Sequence, residues 1–261
     1  MSDLDMDQPN TCRIYDYLLG GSFNFAVDRA FARQVLARVP WARDVARHNR
    51  GFLARAIRYA VSRGVRQFVD LGSGIPSVGR TDQIAMAADP RCRVAYVDTN
   101  LLAIAHAEVL LEGNEQVAIA RTDMRDVSGV FDHPAVSRLI DLNEPVALLM
   151  GAVVHFLPDD DKPAAMIEAY RSTVPSGSML VLSHVTCDGV PPEVIEVAPM
   201  YRHAPEPMYD RTRPEIEALF DGWDLVAPGV VFTGAWRPAH PDEIPAAPNR
   251  CVFLASVGVK P

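Results

Sequence analysis

From residue 65 onward the chain alternates short, almost wholly apolar runs with longer amphipathic stretches. The apolar runs predict strands near 66–71, 93–98, 116–121, 145–150 and 178–184, and the stretches between them predict helices near 78–88, 100–112, 132–140 and 160–173. Strands without polar alternation are buried on both faces, and their alternation with helices implies right-handed crossovers and a mostly parallel sheet. Before residue 65, residues 28–39 and 42–63 read as two amphipathic helices separated by Pro40, with Val35, Leu36, Phe52, Leu53 and Ile57 on their apolar faces. The first twelve residues carry no such pattern and are expected to be flexible. Residues 187–213 break the rhythm with Pro191, Pro192, Pro199, Pro205 and Pro207. Two late runs, 223–226 and 251–255, are expected to pair antiparallel at the sheet edge.

The ends of the first three strands carry the chemistry. Asp70-Leu71-Gly72-Ser73-Gly74 follows the apolar pair Phe68-Val69 and reads as a strand leading into a tight glycine turn, where a ligand can approach the backbone closely. The dinucleotide pattern G-x-G-x-x-G would need glycine at 77, where Ser77 stands after Pro76. A carboxylate beside the turn suits a ligand with positive charge and no phosphate, such as S-adenosylmethionine. The second strand ends in Asp98, placed to accept both ribose hydroxyls, and the third leads to Asp123-Met124, placed to meet an adenine amino group and ring. Gly72, Ser73 and Gly74 would then line the amino-acid portion with Asp70 nearby, and Thr99 and Gly151 complete the expected cofactor wall.

Composition narrows the class. With 261 residues and 49% hydrophobic content, the chain can form one large α/β domain. A net charge of −8 argues against a bare nucleic-acid binder. Cys12, Cys92, Cys187 and Cys251 are scattered without C-x-x-C spacing, which points away from a zinc site or disulfide framework and towards a reducing cytoplasm. Ser2-Asp3-Leu4-Asp5 is not the basic start of a signal peptide, and the longest apolar run, Val146 to Val154, falls short of the ~20 residues a membrane helix needs. No metal is expected, because the His residues lack a motif such as H-E-x-x-H.

Near the N-terminus stands Arg13-Ile14-Tyr15-Asp16-Tyr17-Leu18-Leu19-Gly20-Gly21, followed by Asn24-Phe25 and Asp28-Arg29. Asn49-Arg50, Phe52-Leu53, Arg66-Gln67-Phe68, Tyr96-Val97-Asp98, His155-Phe156, Ser183-His184 and Trp236-Arg237-Pro238 complete a signature spread over nearly the whole chain. On these residues the chain resembles the S-adenosylmethionine-dependent methyltransferases, and most closely an actinobacterial branch long catalogued as a domain of unknown function. The resemblance implies a Rossmann-like class I fold with a seven-stranded sheet whose last strand is reversed. Where relatives carry Asn-x-His-Glu after the glycine loop, this chain has Arg80-Thr81-Asp82-Gln83, which leaves the role of that helix start open.

In open α/β sheets ligands bind beyond the strand C-termini, so methyl transfer is expected where strands one, four and five end. His155, just after strand four, is the candidate catalytic base, with a structural histidine as the alternative; His184 is second. Residues 13–65 are read as a helical lid, in which Tyr15 reaches the cofactor and Arg13 and Arg29 are candidates to pair with its carboxylate. Residues 66–261 form the core, and 187–213, with Met200, Tyr201, Arg202, His203 and Tyr209, is the expected wall for a small-molecule substrate. Tyr170 followed by Val174 is not the Tyr-x-x-x-Lys of a short-chain dehydrogenase, Met150-Gly151-Ala152-Val153 is not the N-P-P-Y of base-amine methylation, and no G-x-S-x-G is present. The remaining rival is a sensor that binds the cofactor or its demethylated product without turning it over.

Overall fold

The five apolar runs form the parallel part of one sheet in the computed structural model, which describes residues 6–261. Strands β1 (Gln67–Leu71), β2 (Arg93–Asp98), β3 (Val117–Arg121), β4 (Val146–Gly151) and β5 (Met179–Val185) lie in the order β3-β2-β1-β4-β5. Three more strands, β6 (Asp224–Leu225), β7 (Val231–Phe232) and β8 (Phe253–Val259), complete it. β8 runs antiparallel to β5, and both β6 and β7 pair antiparallel with β8. The expected seven strands are therefore eight, because the stretch after β6 makes a second two-residue pairing on β8. The expected pairing of 223–226 with 251–255 does not form: Asp224 and Leu225 pair with Val259 and Gly258, while Ala255 and Leu254 pair with Val231 and Phe232, because β8 lies inside the sheet and starts only after a short 3-10 turn at Pro248–Cys251.

Side-chain alternation divides the core. Val69, Leu71, Val146, Leu148 and Met150 face one layer, formed by α6 (Val127–Asp132), α7 (Pro134–Leu139), α8 (Pro163–Thr173) and α10 (Arg213–Ala218). Phe68, Ala147 and Leu149 face the other, formed by α3 (Ala42–Ser62), α4 (Thr81–Ala88) and α5 (Leu101–Leu110). The helix expected over 132–140 is broken into α6 and α7. Pro134 forces His133 into an extended conformation (φ −58°, ψ 127°), and the His133 ring then caps α7.

The N-terminal segment departs from expectation in two places. Flexibility was expected over 1–12; residues 1–5 lie outside the described residues, but Asn10 caps α1 (Thr11–Leu19), accepting from Arg13 N at 3.3 Å. Gly20 ends α1 in the left-handed region (φ 88°). The lid expected over 13–65 is narrower than drawn, since α3 buries Phe52, Leu53, Ala56 and Ile57 against the sheet. What covers the strand ends is α1, α2 (Ala26–Arg38) and α9 (Pro192–Arg202), whose helix opens with Pro192 at its first turn inside the proline-rich segment. Ile14, Leu18, Ala32, Val35, Val39 and Val197 form a small third core there, apart from the sheet.

Candidate functional site

A cavity of about 660 Å³ opens at the C-terminal ends of β1, β2, β3 and β4, roofed by α1 and α9. Its floor is the turn after β1. Gly72 is left-handed (φ 67°), and a Cβ there would collide with the Val153 side chain of the loop after β4, so the turn requires glycine. Gly74 N donates to Asp98 Oδ2 at 2.8 Å and Asn100 N donates to Oδ1 at 2.8 Å, which fixes the carboxylate at the end of β2. Asp98 makes no ion pair among the described residues, and burial pushes its carboxyl above the usual range. Ser73, Thr99, Met124 and Gly151 line the same cavity.

Two other expected cofactor residues are placed differently. Asp70 is not on the cavity wall. Alternation along β1 turns its side chain to the same face as Phe68, where Thr81 Oγ1 donates to it at 2.6 Å. The helix start Arg80-Thr81-Asp82-Gln83 thus has a structural job: Thr81 holds Asp70, while Asp82 pairs with Arg80 and accepts from Tyr96 OH at 2.7 Å. Asp123 does line the cavity, but Arg125 grips it at 2.6 Å and reaches Asp161 at 2.8 Å, holding the Asp123 carboxyl below its usual range. Sequence reasoning did not foresee Arg125, since a charge two residues along a turn shows its partner only in three dimensions.

The roof is tied to the floor by a chain of buried polar contacts. Asp16 of α1 accepts from Phe23 N (2.9 Å), Asn24 Nδ2 (2.8 Å) and the Ser77 hydroxyl of the loop after β1. Tyr15 OH donates to Ala46 O at 3.2 Å and accepts from Asn49 Nδ2 at 2.9 Å; Asn49 Oδ1 accepts from Ser183 Oγ, which accepts from Ala152 N. Tyr15 therefore lines the cavity but spends its hydroxyl on this chain, and burial pushes its phenol pKa up. At the start of α1, Asn10 and Thr11 donate to Glu206, joining the N-terminus to the segment after α9. Arg13 and Arg29, the expected carboxylate partners, are occupied: Arg13 pairs with buried Asp28 at 2.7 Å, and Arg29 donates to Asn24 O at 2.7 Å.

Two histidines lie beyond β4 and β5 with ring centroids 5.5 Å apart, and their bonding differs. His184 donates from Nδ1 to Val185 O at 2.7 Å and accepts at Nε2 from Arg211 at 2.8 Å, so neither nitrogen is free for a substrate. Burial drives its pKa down to about 4. Arg211, only 7% exposed, also donates to Leu157 O and to Asp159, stitching the segment after α9 to the loop after β4. His155 is 1% exposed and lines the cavity. Its Nδ1 is buried without a partner, its ring is flanked by Phe156 and Phe253, and burial holds its pKa well below the ordinary value. His184 is thereby removed as a candidate base; His155 stays available.

His155 packs against Phe156, Phe253 and His184, and Tyr209 N donates to its backbone oxygen at 2.7 Å; Leu18, Val153, Val197 and Tyr201 line the same cavity. Of the residues expected in the substrate wall, Tyr201, Arg202 and Tyr209 line the cavity. Met200 instead packs into the third core, and His203 folds back onto Pro199 O at 2.8 Å. Arg50 of α3 also faces the cavity, with its guanidinium 5.5 Å from the Tyr15 ring and its Nε buried without a partner. In sequence it is one of several arginines along α3; what sets it apart is a place on the cavity wall with a buried Nε that has no acceptor. The cavity thus joins a glycine turn and a buried carboxylate to a region of aromatic and aliphatic side chains that holds the His155 imidazole, with Arg202, Glu206 and Asp210 also on its lining.

The family model for S-adenosyl methyltransferases matches residues 1–261. No curated protein matches the chain. Among solved structures, a candidate methyltransferase from Thermobifida fusca is 35% identical, covering 99% of this chain and 97% of its own, with a TM-score of 0.92. A DUF574 family protein from Streptomyces avermitilis is 32% identical over 98% of this chain and 99% of its own, with a TM-score of 0.93. The N-methyltransferase NodS from Bradyrhizobium japonicum, in complex with S-adenosyl-L-homocysteine, is 14% identical over 89% of this chain and 97% of its own; its TM-score of 0.52 reflects a shared fold.

Proposed function

The chain belongs to the S-adenosyl methyltransferase family and is a methyltransferase dependent on S-adenosylmethionine; within that activity we propose that it methylates an oxygen or nitrogen of a small molecule. The observation that carries this reading is one cavity at the strand ends that holds both the carboxylate of Asp98 and the imidazole of His155. The residues present fit the cofactor. Asp98 is a carboxylate without a cation, suited to two ribose hydroxyls, and the turn at Gly72 leaves the backbone bare for a close approach. Thr99 and Met124 bound the nucleoside end, and Ser73, Gly74 and Gly151 the amino-acid end. Asp123 meets the adenine edge while keeping Arg125 as its counter-ion.

When bound, the cofactor supplies an electrophilic methyl carbon on a positively charged sulfur. The protein's task is then alignment, worth about 7–11 kcal/mol in favourable cases. Val153, Phe156 and Tyr201 enclose the acceptor and exclude water. His155 uses Nε2, since Nδ1 is shut in among aromatic rings. Nε2 would accept a hydrogen bond from the acceptor's hydroxyl and take its proton as the oxygen–carbon bond forms and the carbon–sulfur bond breaks, its electron pair leaving with sulfur on the demethylated cofactor. An imidazole held neutral by burial is a weak base. A methylated oxygen still carrying its proton is acidic enough to yield it, whereas an alkylammonium is not. Of the two acceptors, the base role of His155 therefore fits oxygen.

The test is to incubate the protein with methyl-labelled S-adenosylmethionine and cell extract, then separate metabolites, RNA and protein. Label should appear in the metabolite fraction. Label confined to RNA or to protein would overturn the small-molecule assignment.

A further inference from the structure

An unpaired cation in a cavity wall is costly unless a ligand brings the anion. Arg50 is such a cation. Three other arginines of α3 are engaged: Arg43 donates to Tyr17 O, Arg47 pairs with Asp44, and Arg55 donates to Trp236 O and Thr233 O; Arg58 does not line the cavity. Arg50 has no ion pair among the described residues, and its Nε is buried without an acceptor. Its stem passes Gly79, where an added Cβ would lie 3.9 Å from Arg50 Cβ and Cδ, and its guanidinium lies 5.5 Å from the Tyr15 ring. The Tyr15 hydroxyl, bonded to Asn49 and Ala46, also meets Arg50, and the buried carboxyl of Asp70 feels its charge, but neither forms an ion pair with the guanidinium.

The position along the cavity identifies the anion. Arg50 borders the wall that contains Gly72, Ser73, Gly74 and Ile75, while Asp98 and Asp123 stand at the ends of β2 and β3 on the other side of the turn. A ligand whose ribose meets Asp98 projects its remaining arm over the turn towards α3. That arm, in S-adenosylmethionine, ends in an amino acid. We propose that Arg50 binds the carboxylate of the cofactor's methionine arm, taking the place that Arg13 and Arg29 cannot fill. The proposal rests on the cofactor reading above. A guanidinium matches a carboxylate with two parallel N–H donors, and it makes the arm readable by charge as well as by length.

Calorimetry with three ligands tests it: S-adenosylmethionine, its decarboxylated form, which lacks only the carboxylate, and methylthioadenosine, which lacks the whole arm. The native protein should bind S-adenosylmethionine about 10- to 100-fold more tightly than the decarboxylated form, as for a charge-assisted pair. Arg50→Gln should erase that difference while leaving affinity for the decarboxylated form and for methylthioadenosine within about two-fold. Arg50→Lys, which keeps a point charge and disturbs packing less, should fall between and serves if the Gln variant folds poorly. Equal losses for all three ligands, or no loss for S-adenosylmethionine, would overturn the proposal. Failure of the native protein to bind any of the three would instead overturn the cofactor reading, a distinct result.

Discussion

The two ends of the cavity are built by opposite means. At the cofactor end, the turn after β1 and the carboxylate of Asp98 hang on parallel strands, and Asp98 is fixed by two backbone N–H groups at 2.8 Å. At the acceptor end, α1, α2 and α9 come from distant parts of the chain and meet in a small apolar core of their own. Phe31 and Tyr201 close it edge to face at 5.2 Å, and Glu206 ties the segment after α9 to the start of α1. Under the proposed function, the first end would read the cofactor through directional hydrogen bonds, and the second would read the acceptor's shape, since apolar contact is non-directional and scales with area. A cover with its own core can also change its lining residues without disturbing the sheet, which is how one fold accommodates different acceptors.

The sharpest way to break this comparison is His155→Gln, because His155 is the group assigned to take the acceptor's proton. Glutamine keeps hydrogen-bonding capacity but takes no proton near neutrality. Turnover should fall by ~10²–10⁴ while cofactor affinity and melting temperature stay near native. In the native enzyme, burial keeps His155 neutral below pH 6.5, so kcat should hold as pH falls through 6.5 and decline only in more acidic solution. Early melting with unchanged turnover per folded molecule would make His155 structural and leave the acceptor end without an assigned base.

Next in size is Leu18→Ala, which removes a buried side chain from the core of the cover. Large-to-small substitutions of this kind cost about 2–5 kcal/mol. If the cover opens as its own unit, hydrogen exchange should quicken in α1, α2 and α9 while β1, β4 and β5 keep their protection. Uniform quickening across sheet and cover would show that the two ends unfold together.

The smallest expected effect is at the cofactor end. Asp98→Ala removes the acceptor proposed for two ribose hydroxyls, and S-adenosylmethionine affinity should fall about ten-fold or more. Affinity for the acceptor in the presence of demethylated cofactor should change far less. A variant that binds S-adenosylmethionine as well as native would move the ribose away from β2.

Much of the cofactor end was legible in the chain. Short apolar runs and strand–helix alternation placed β1 to β5 within a residue or two, and the rule that ligands sit beyond strand C-termini pointed to Gly72, Gly74, Asp98, Asp123, Gly151 and His155, which line one cavity. Asp70 was misjudged for a reason the same periodicity contains: one residue along a strand reverses the side chain, and Asp70 shares its face with Phe68. The fate of charged groups was least legible. Arg13, Arg29, Arg50 and Arg211 look alike in sequence, yet the first two brace the N-terminal loop, Arg211 locks His184, and Arg50 faces the cavity with no ion pair among the described residues.

Local pattern determined the strands, the crossovers and therefore the edge of the sheet where a ligand must bind, because burial on two faces is written into each apolar run by itself. Only the tertiary structure decided which charges are spent and which remain. It also decided that His155 and not His184 keeps a free nitrogen, and that α1, α2 and α9 meet over the strand ends. The physical reason is that an ionic or hydrogen-bonding partner is chosen by proximity in space, and Glu206 donates nothing to the sequence pattern around Asn10 and Thr11 although it holds them both.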